Sequence, residues 1–120
     1  PYGNTNKYQT LLSGDVVEWA RIEFKETWDA AASLKSICAF ANDLDNWGGG
    51  YIVIGVQESN GKPVFPLKGI PTDKLDSYQK SIFAKCKLIR PAYTPIIGVE
   101  TYQDKHFIII WCPGGDNRPY

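Results

Sequence analysis

Three glutamates stand beside segments that the sequence predicts as β-strands, where carboxylates could hold a metal ion. Glu18 and Glu23 flank the first of these segments, and Glu58 follows the most apolar one. Carboxylates that converge offer the hard oxygen ligands that Mg²⁺ and Mn²⁺ prefer, and such an ion can polarise a phosphodiester. In an uninterrupted strand, however, residues five apart point to opposite faces. Glu18 can therefore join Glu23 only if the strand begins after Glu18 or carries a bulge.

The same glutamates also have an ordinary structural interpretation. Glu23 can form ion pairs with Arg21 and Lys25, which share its face of the predicted strand. Glu18 and Glu58 would then be solvated surface charges. The sequence leaves both interpretations open.

Basic and aromatic side chains define a second candidate site, one for nucleic acid. Arg21 and Lys25 lie on one strand face, and Trp47, in a polar, glycine-rich loop, is the best candidate for an exposed ring. Four further cations cluster toward the end of the predicted second helix: Lys80, Lys85, Lys87 and Arg90. Cations that contact phosphates, combined with rings on which bases stack, suit single-stranded nucleic acid. Open alternatives are a solvated helix face for the lysines and a cap over the sheet edge for Trp47.

Other common sites find no support in the sequence. No window matches the phosphate-binding loop GxxxxGK followed by Ser or Thr, and the run Gly48–Gly50 precedes a predicted strand rather than a helix. The chain has a single histidine, His106, and no CxxC pair. Its three cysteines, each in an apolar run, are Cys38, Cys86 and Cys112. This pattern argues against zinc and disulfides and predicts reduced core cysteines in a cytoplasmic protein.

Length and charge restrict the class of protein. A chain of 120 residues with 43% hydrophobic and 22% charged residues is typical of one globular domain with a single core. No apolar run approaches the roughly 20 residues that span a bilayer, and no signal segment opens the chain, so no membrane partner is expected. The net charge is zero. Any nucleic-acid binding must therefore depend on a local patch, because phosphate neutralisation drives such affinity.

Hydrophobic periodicity predicts the elements that would position these side chains. The predicted helices are Asp29–Asn42, capped by Thr27 or Asp29, and a second helix from Thr72 or Asp73 to about Leu88. The buried stripe of the second helix is predicted as Leu75, Gln79, Ile82, Phe83, Cys86 and Ile89. The predicted strands are Trp19–Lys25, Tyr51–Gln57, a brief Pro63–Phe65, Ile96–Tyr102 and His106–Cys112.

The element order β-α-β-(β)-α-β-β predicts an α/β (α+β) fold, a two-layer sandwich with a mixed sheet. The second long strand is apolar on both faces, which predicts a place in the sheet interior. Asn60-Gly61 predicts a tight turn after it. Residues 1–12 are expected to form a loose N-terminal segment, and residues 13–120 the domain.

The motif Glu23-Phe24-Lys25, followed by Ala39-Phe40-Ala41-Asn42 and the run Gly48–Val56, resembles the Schlafen-like AlbA domain. The resemblance covers about residues 11–120. It implies a nucleic-acid-binding module, with DNA favoured over RNA, in a cytoplasmic transcriptional regulator or RecG-related helicase protein. Relatives usually continue into further domains, so the resemblance implies the N-terminal part of a multidomain protein, without catalysis or a cofactor of its own.

Two alternatives remain beside that interpretation. In nuclease-active Schlafens, two glutamates five residues apart and an acidic residue just after a Gly-Val pair form a metal-dependent RNA-cutting site. Glu18, Glu23 and Glu58 match this pattern, with Glu23 and Glu58 as Mg²⁺ or Mn²⁺ ligands, although Gln57-Glu58 stands where two aspartates are common. The stretch 44–47 also lengthens the loop relative to the family. The other alternative, favoured by zero net charge, is a non-catalytic protein-interaction module, and a homodimer is left open.

Overall fold

The structure is a computed structural model and describes residues 21–43, 48–116 and 118–120, with only the backbone of Arg21. The strands are β1 (Arg21–Lys25), β2 (Gly49–Ile54), β3 (Glu58–Ser59), β4 (Lys62–Pro63), β5 (Ile96–Tyr102) and β6 (Lys105–Pro113). The helices are α1 (Ala30–Asn42) and α2 (Thr72–Cys86). Glu18, Trp47 and the predicted start of the first strand at Trp19 lie outside the described residues.

Four strands form a mixed sheet in the order β1-β2-β6-β5. β1 pairs with β2 in parallel, whereas β2 with β6 and β6 with β5 are antiparallel. All six residues of β2 are buried, which confirms its predicted place in the sheet interior. β2 ends at Ile54 rather than at Gln57, because the N–H groups of Gly55 and Val56 both turn to the carbonyl of Lys25, at 2.8 and 3.2 Å.

Both helices pack on one face of the sheet, which confirms the predicted two-layer arrangement. The sheet residues that meet the helices are Ile52, Ile54, Ile108, Ile110 and Cys112. The helices cover them with Ile37, Phe40, Ile82 and Cys86. The opposite face forms a second apolar cluster of Tyr51, Val53, Phe107 and Ile109, with Val56 and Leu67 packed beside them. Burial of these two clusters is the main favourable term that holds the elements together.

The local signals at turns and caps act as the sequence predicts. Of the two candidate caps for α1, Asp29 is used: its carboxylate accepts a hydrogen bond from the N–H of Ala32 at 3.1 Å. Asn60 and Gly61 connect β3 to β4 with φ angles of 54° and 79°, the positive values of a type I′ hairpin turn. Both of these local predictions are therefore confirmed.

The prediction for α2 is wrong at its end and at one core position. The helix ends at Cys86, not near Leu88, and the side chain of Phe83 is 51% exposed rather than buried. Ile82 and Cys86 face the core, and Phe83 lies about 100° around the helix from Ile82. The buried stripe is narrower than predicted, so Phe83 falls outside it.

The three cysteines lie in or beside the core, and burial limits the reactivity of their thiols. Cys86 and Cys112 are buried and Cys38 is half-buried. Burial, with a smaller contribution from the Cys38 thiol, raises the pKa of Cys86 to about 11. Burial raises the pKa of Cys112 as well. Neutral thiols are poor nucleophiles and poor metal ligands, so these side chains act as core residues near neutral pH.

Candidate nucleic-acid interface

A pocket of about 370 Å³ opens beside β1, an end strand of the described sheet. Its lining residues come from β1 and from the β3–β4 hairpin: Ile22, Glu23, Phe24, Lys25, Glu58 and Gly61. The pocket brings together two of the three predicted carboxylates, Glu23 and Glu58. The third, Glu18, lies outside the described residues, so its convergence with the other two stays a prediction.

Glu23 is held from two directions at this pocket. Its Oε2 accepts a hydrogen bond from the hydroxyl of Ser36 on α1 at 2.5 Å and lies 3.1 Å from Nζ of Lys25. The side chains of Glu23 and Lys25 are 38% and 19% exposed. The contact with Ser36 connects β1 to α1. The ion pair with Lys25 is the one that the ordinary structural interpretation expects.

The carboxylate of Glu58 forms a hydrogen bond within the β3–β4 hairpin. Its Oε2 accepts a hydrogen bond from the N–H of Gly61 at 2.5 Å, and the side chain is exposed. In the described ranges, no group of three or more His, Cys, Asp or Glu side chains is placed to hold a metal ion. A metal at this pocket would therefore depend on Glu23, Glu58 and a ligand from outside these ranges.

The cations predicted on the second helix are exposed, but their surroundings differ. Lys80 forms an ion pair with Asp76 at 3.0 Å, and each side chain is 78% exposed. Lys85 and Lys87 form no ion pair with any residue that the structure describes. Surface pairs such as the one with Asp76 contribute only about 0–1 kcal/mol, so Lys80 can exchange its partner for a phosphate at small cost.

The side chain of Arg90 binds backbone carbonyls at the C-terminal end of α2. Its Nη1 donates to the carbonyl of Lys87 at 2.6 Å and to the carbonyl of Ile89 at 3.0 Å. Carbonyls at a helix C-terminus lack partners inside the helix and attract cations. This arginine therefore has a structural role, in addition to the charge that it adds to the surface.

The segment 77–99 concentrates positive charge on a neutral chain. It carries four cationic side chains and no Asp or Glu, so the rest of the chain has a net charge of −4. We call residues 77–99 the basic segment. Helical spacing separates its lysines into two flanks of α2: Lys80 and Lys87 lie on one and Lys85 on the other. Phe83 lies on the same flank as Lys80 and Lys87. Hydrophobic periodicity predicts a buried position for Phe83 and therefore does not indicate that its exposed ring lies beside these lysines.

The fold and these two surfaces define an α+β domain with a basic segment and, beside β1, a pocket that two carboxylates line. The chain belongs to the family described as Schlafen, AlbA_2, which matches residues 18–120. This finding confirms the family that the sequence motifs indicate. No curated protein matches the chain in sequence.

The solved structures that are similar to this chain include two from bacteria. One is the solution NMR structure of the N-terminal domain of an ATP-dependent DNA helicase RecG-related protein from Nitrosomonas europaea, with a TM-score of 0.66 and 25% identity. The match covers 93% of this chain and 73% of that one. The other is the DIP2311 protein from Corynebacterium diphtheriae, with a TM-score of 0.57 and 16% identity, over 92% of this chain and 22% of that one. The second likeness supports the fold alone.

Within the described ranges, neither helix combines the length and the apolar character that crossing a membrane requires.

Proposed function

We propose that this domain binds nucleic acid, with DNA favoured over RNA, through the basic segment, which includes the C-terminal part of α2. The observation that carries the proposal is a run of 23 residues with four cations and no acidic side chain. Two of these cations, Lys85 in the last turn of α2 and Lys87 at its C-cap, are exposed. Family membership and the likeness to a domain of a DNA helicase RecG-related protein support it. The parent protein is then a cytoplasmic transcriptional regulator or helicase-related protein whose other domains add affinity.

Binding by the domain alone is expected to be weak and sensitive to salt. Each neutralised phosphate releases counterions, so the logarithm of affinity falls with the logarithm of salt by roughly 0.7–0.9 per contact. Only a few exposed cations are available on one helix, and the remainder of the chain is net negative. We therefore expect the logarithm of affinity to fall only gently with the logarithm of salt concentration, as for a protein that contacts few phosphates.

Reversing two charges at the C-terminal end of α2 should remove most of this binding. Lys85→Glu combined with Lys87→Glu is expected to weaken affinity for a labelled oligonucleotide at least tenfold and to reduce the salt slope by roughly 1–2, because up to two phosphate contacts are lost. Both side chains are exposed, so the fold should remain intact. Fluorescence anisotropy at several salt concentrations measures both quantities, and circular dichroism checks the fold.

A matched control separates a local surface from overall charge. Lys35→Glu combined with Lys62→Glu makes the same change in net charge at exposed positions on α1 and on the β3–β4 hairpin. This control should bind much more tightly than the α2 double variant. Equal losses in the two double variants, or unchanged affinity in the α2 variant, would contradict the proposed surface.

The pocket beside β1 favours a second candidate function, metal-dependent cleavage of RNA. The supporting observation is that Glu23 and Glu58 line the same pocket. Their carboxylates are suitable donors for Mg²⁺ or Mn²⁺, with Glu18 as the expected third ligand, and the ion would polarise the phosphodiester. Against this candidate, each described carboxylate already accepts a hydrogen bond from the protein.

Manganese distinguishes the two candidates. If the carboxylates form a metal site, Mn²⁺ should raise the melting temperature of the domain, because a ligand that binds only the folded state stabilises it. Glu23→Gln should erase that gain, whereas Glu100→Gln on β5 should preserve it. Thermal unfolding with and without Mn²⁺ is the measurement, with cleavage of a labelled RNA as the second readout. No gain in the native domain would remove the metal site from consideration.

A further inference from the structure

Phe83 is an exposed aromatic ring within the basic segment. Its side chain is 51% exposed on α2, although the sheet face beneath the helix buries its neighbour Ile82 completely. Large apolar side chains at single surface positions are common and need no special role. The surroundings of Phe83, rather than its exposure, distinguish it.

Two lysines bracket the ring along the helix axis. Lys80 precedes Phe83 by three residues and Lys87 follows it by four, which places both on its flank with Cβ atoms about 5–6 Å from that of Phe83. The N–H of Lys87 donates to the carbonyl of Phe83 at 3.4 Å, so the helical turn continues through this cap position. Along the helix axis Phe83 thus lies between two cations, both of which are offset by about 40–60° to the same side of it. We call this set of three residues the α2 flank.

We propose that Phe83 is a stacking platform for an unpaired base and that the α2 flank therefore prefers single-stranded nucleic acid to duplex. This inference rests on the proposed function, since it names the substrate class of the same surface. Cations on both sides can contact the phosphates on either side of a base that lies on the ring. Base–aromatic stacking of this kind is tolerant of sequence, because every base has a π-face.

Duplex nucleic acid cannot use the ring in the same way. Its bases are stacked on one another inside the double helix and expose only their edges in the grooves, so no base face is free to lie on the ring. Lys80, Lys85 and Lys87 should therefore contribute to the binding of both forms, whereas Phe83 should contribute only to the binding of single strands. This difference allows the stacking role to be measured separately from the charge.

The test compares a labelled oligothymidylate with a labelled duplex of the same length, using the 120-residue chain. Wild-type protein should bind the single strand about tenfold more tightly, which is the typical contribution of one stacked base. Phe83→Ala should lose about tenfold in affinity for the single strand, keep its affinity for the duplex and leave the salt slope unchanged. Phe83→Trp, which retains a ring, should bind the single strand at least as tightly as wild type.

Leu88 provides the matched control, because it is 63% exposed within the same basic segment and carries no ring. Leu88→Ala should bind both forms like the wild type. If Phe83→Ala binds the single strand like the wild type, or loses affinity equally for both forms, the stacking role is wrong, while the proposed function stands on the lysine variants. A wild-type chain that binds neither form overturns both. In that case Phe83 fits better as a contact to another protein.

Discussion

Replacing Ile54 with alanine should lower the free energy of unfolding by about 2–5 kcal/mol, the range measured when a large aliphatic side chain is removed from a well-packed core. Ile54 is 0% exposed and belongs to the apolar cluster between the sheet and the helices. It lies opposite Lys25 of β1 and Ile108 of β6, so strands on both sides hold its backbone in place. The surroundings can collapse only partly into the space, and a cavity remains. Urea unfolding followed by circular dichroism measures the loss.

Ile96→Ala is the matched control for this experiment. Ile96 begins β5 at the other end of the described sheet and is 53% exposed, so the same substitution removes little buried surface. We expect it to cost less than about 1 kcal/mol. An Ile54 variant as stable as the Ile96 variant would mean that β2 is not the central strand of the fold.

Local patterns explain why so much of this fold could be predicted. The apolar run of β2 has no polar face, so only a position between two strands and two apolar layers can satisfy it. Asp29 offers a side-chain acceptor where the first helix begins, and Asn60-Gly61 accepts the positive φ angles of a tight turn. In each case the information lies within a few neighbouring residues.

Phe83 shows where local patterns fail. Helical spacing places it at the border of the apolar stripe, and the width of that stripe depends on how α2 packs on the sheet. The same limit applies to the order of strands, in which β6 lies between β2 and β5. Both features depend on contacts between residues far apart in the sequence.

The candidate sites show the same division. The neighbourhood of Glu23 and Lys25 follows from strand alternation, because residues two apart share a face. The hydrogen bond from Ser36 does not, since it requires α1 to cross β1 at one particular position. The turn of Glu58 toward Gly61 is a rotamer choice that no spacing rule specifies. The sequence could therefore identify both carboxylates as candidate site residues, but it could not predict the hydrogen bonds that each of them accepts.

The glycines before β2 also differ in ways that the sequence does not distinguish. Gly48 and Gly49 both have positive φ angles, of 88° and 99°. A Cβ on Gly48 would meet nothing within 4 Å, whereas a Cβ on Gly49 would lie 1.9 Å from the carbonyl oxygen of Cys112. That oxygen belongs to the backbone of β6, which is paired with β2 along its length, so it cannot move aside alone.

Gly49→Ala should consequently cost about 4 kcal/mol or more, because backbone strain at positive φ adds to a clash that neither strand can relieve. This is a large part of the total stability of about 5–15 kcal/mol that is usual for a domain, so the variant should unfold at a much lower urea concentration than the wild type. Gly48→Ala should cost only the strain, about 1–2 kcal/mol, and remain folded. Far-UV circular dichroism and urea unfolding of the two variants under identical conditions measure the difference. Equal stability of the two would contradict the close approach of β2 and β6 at Gly49, the position where the glycine run enters the sheet.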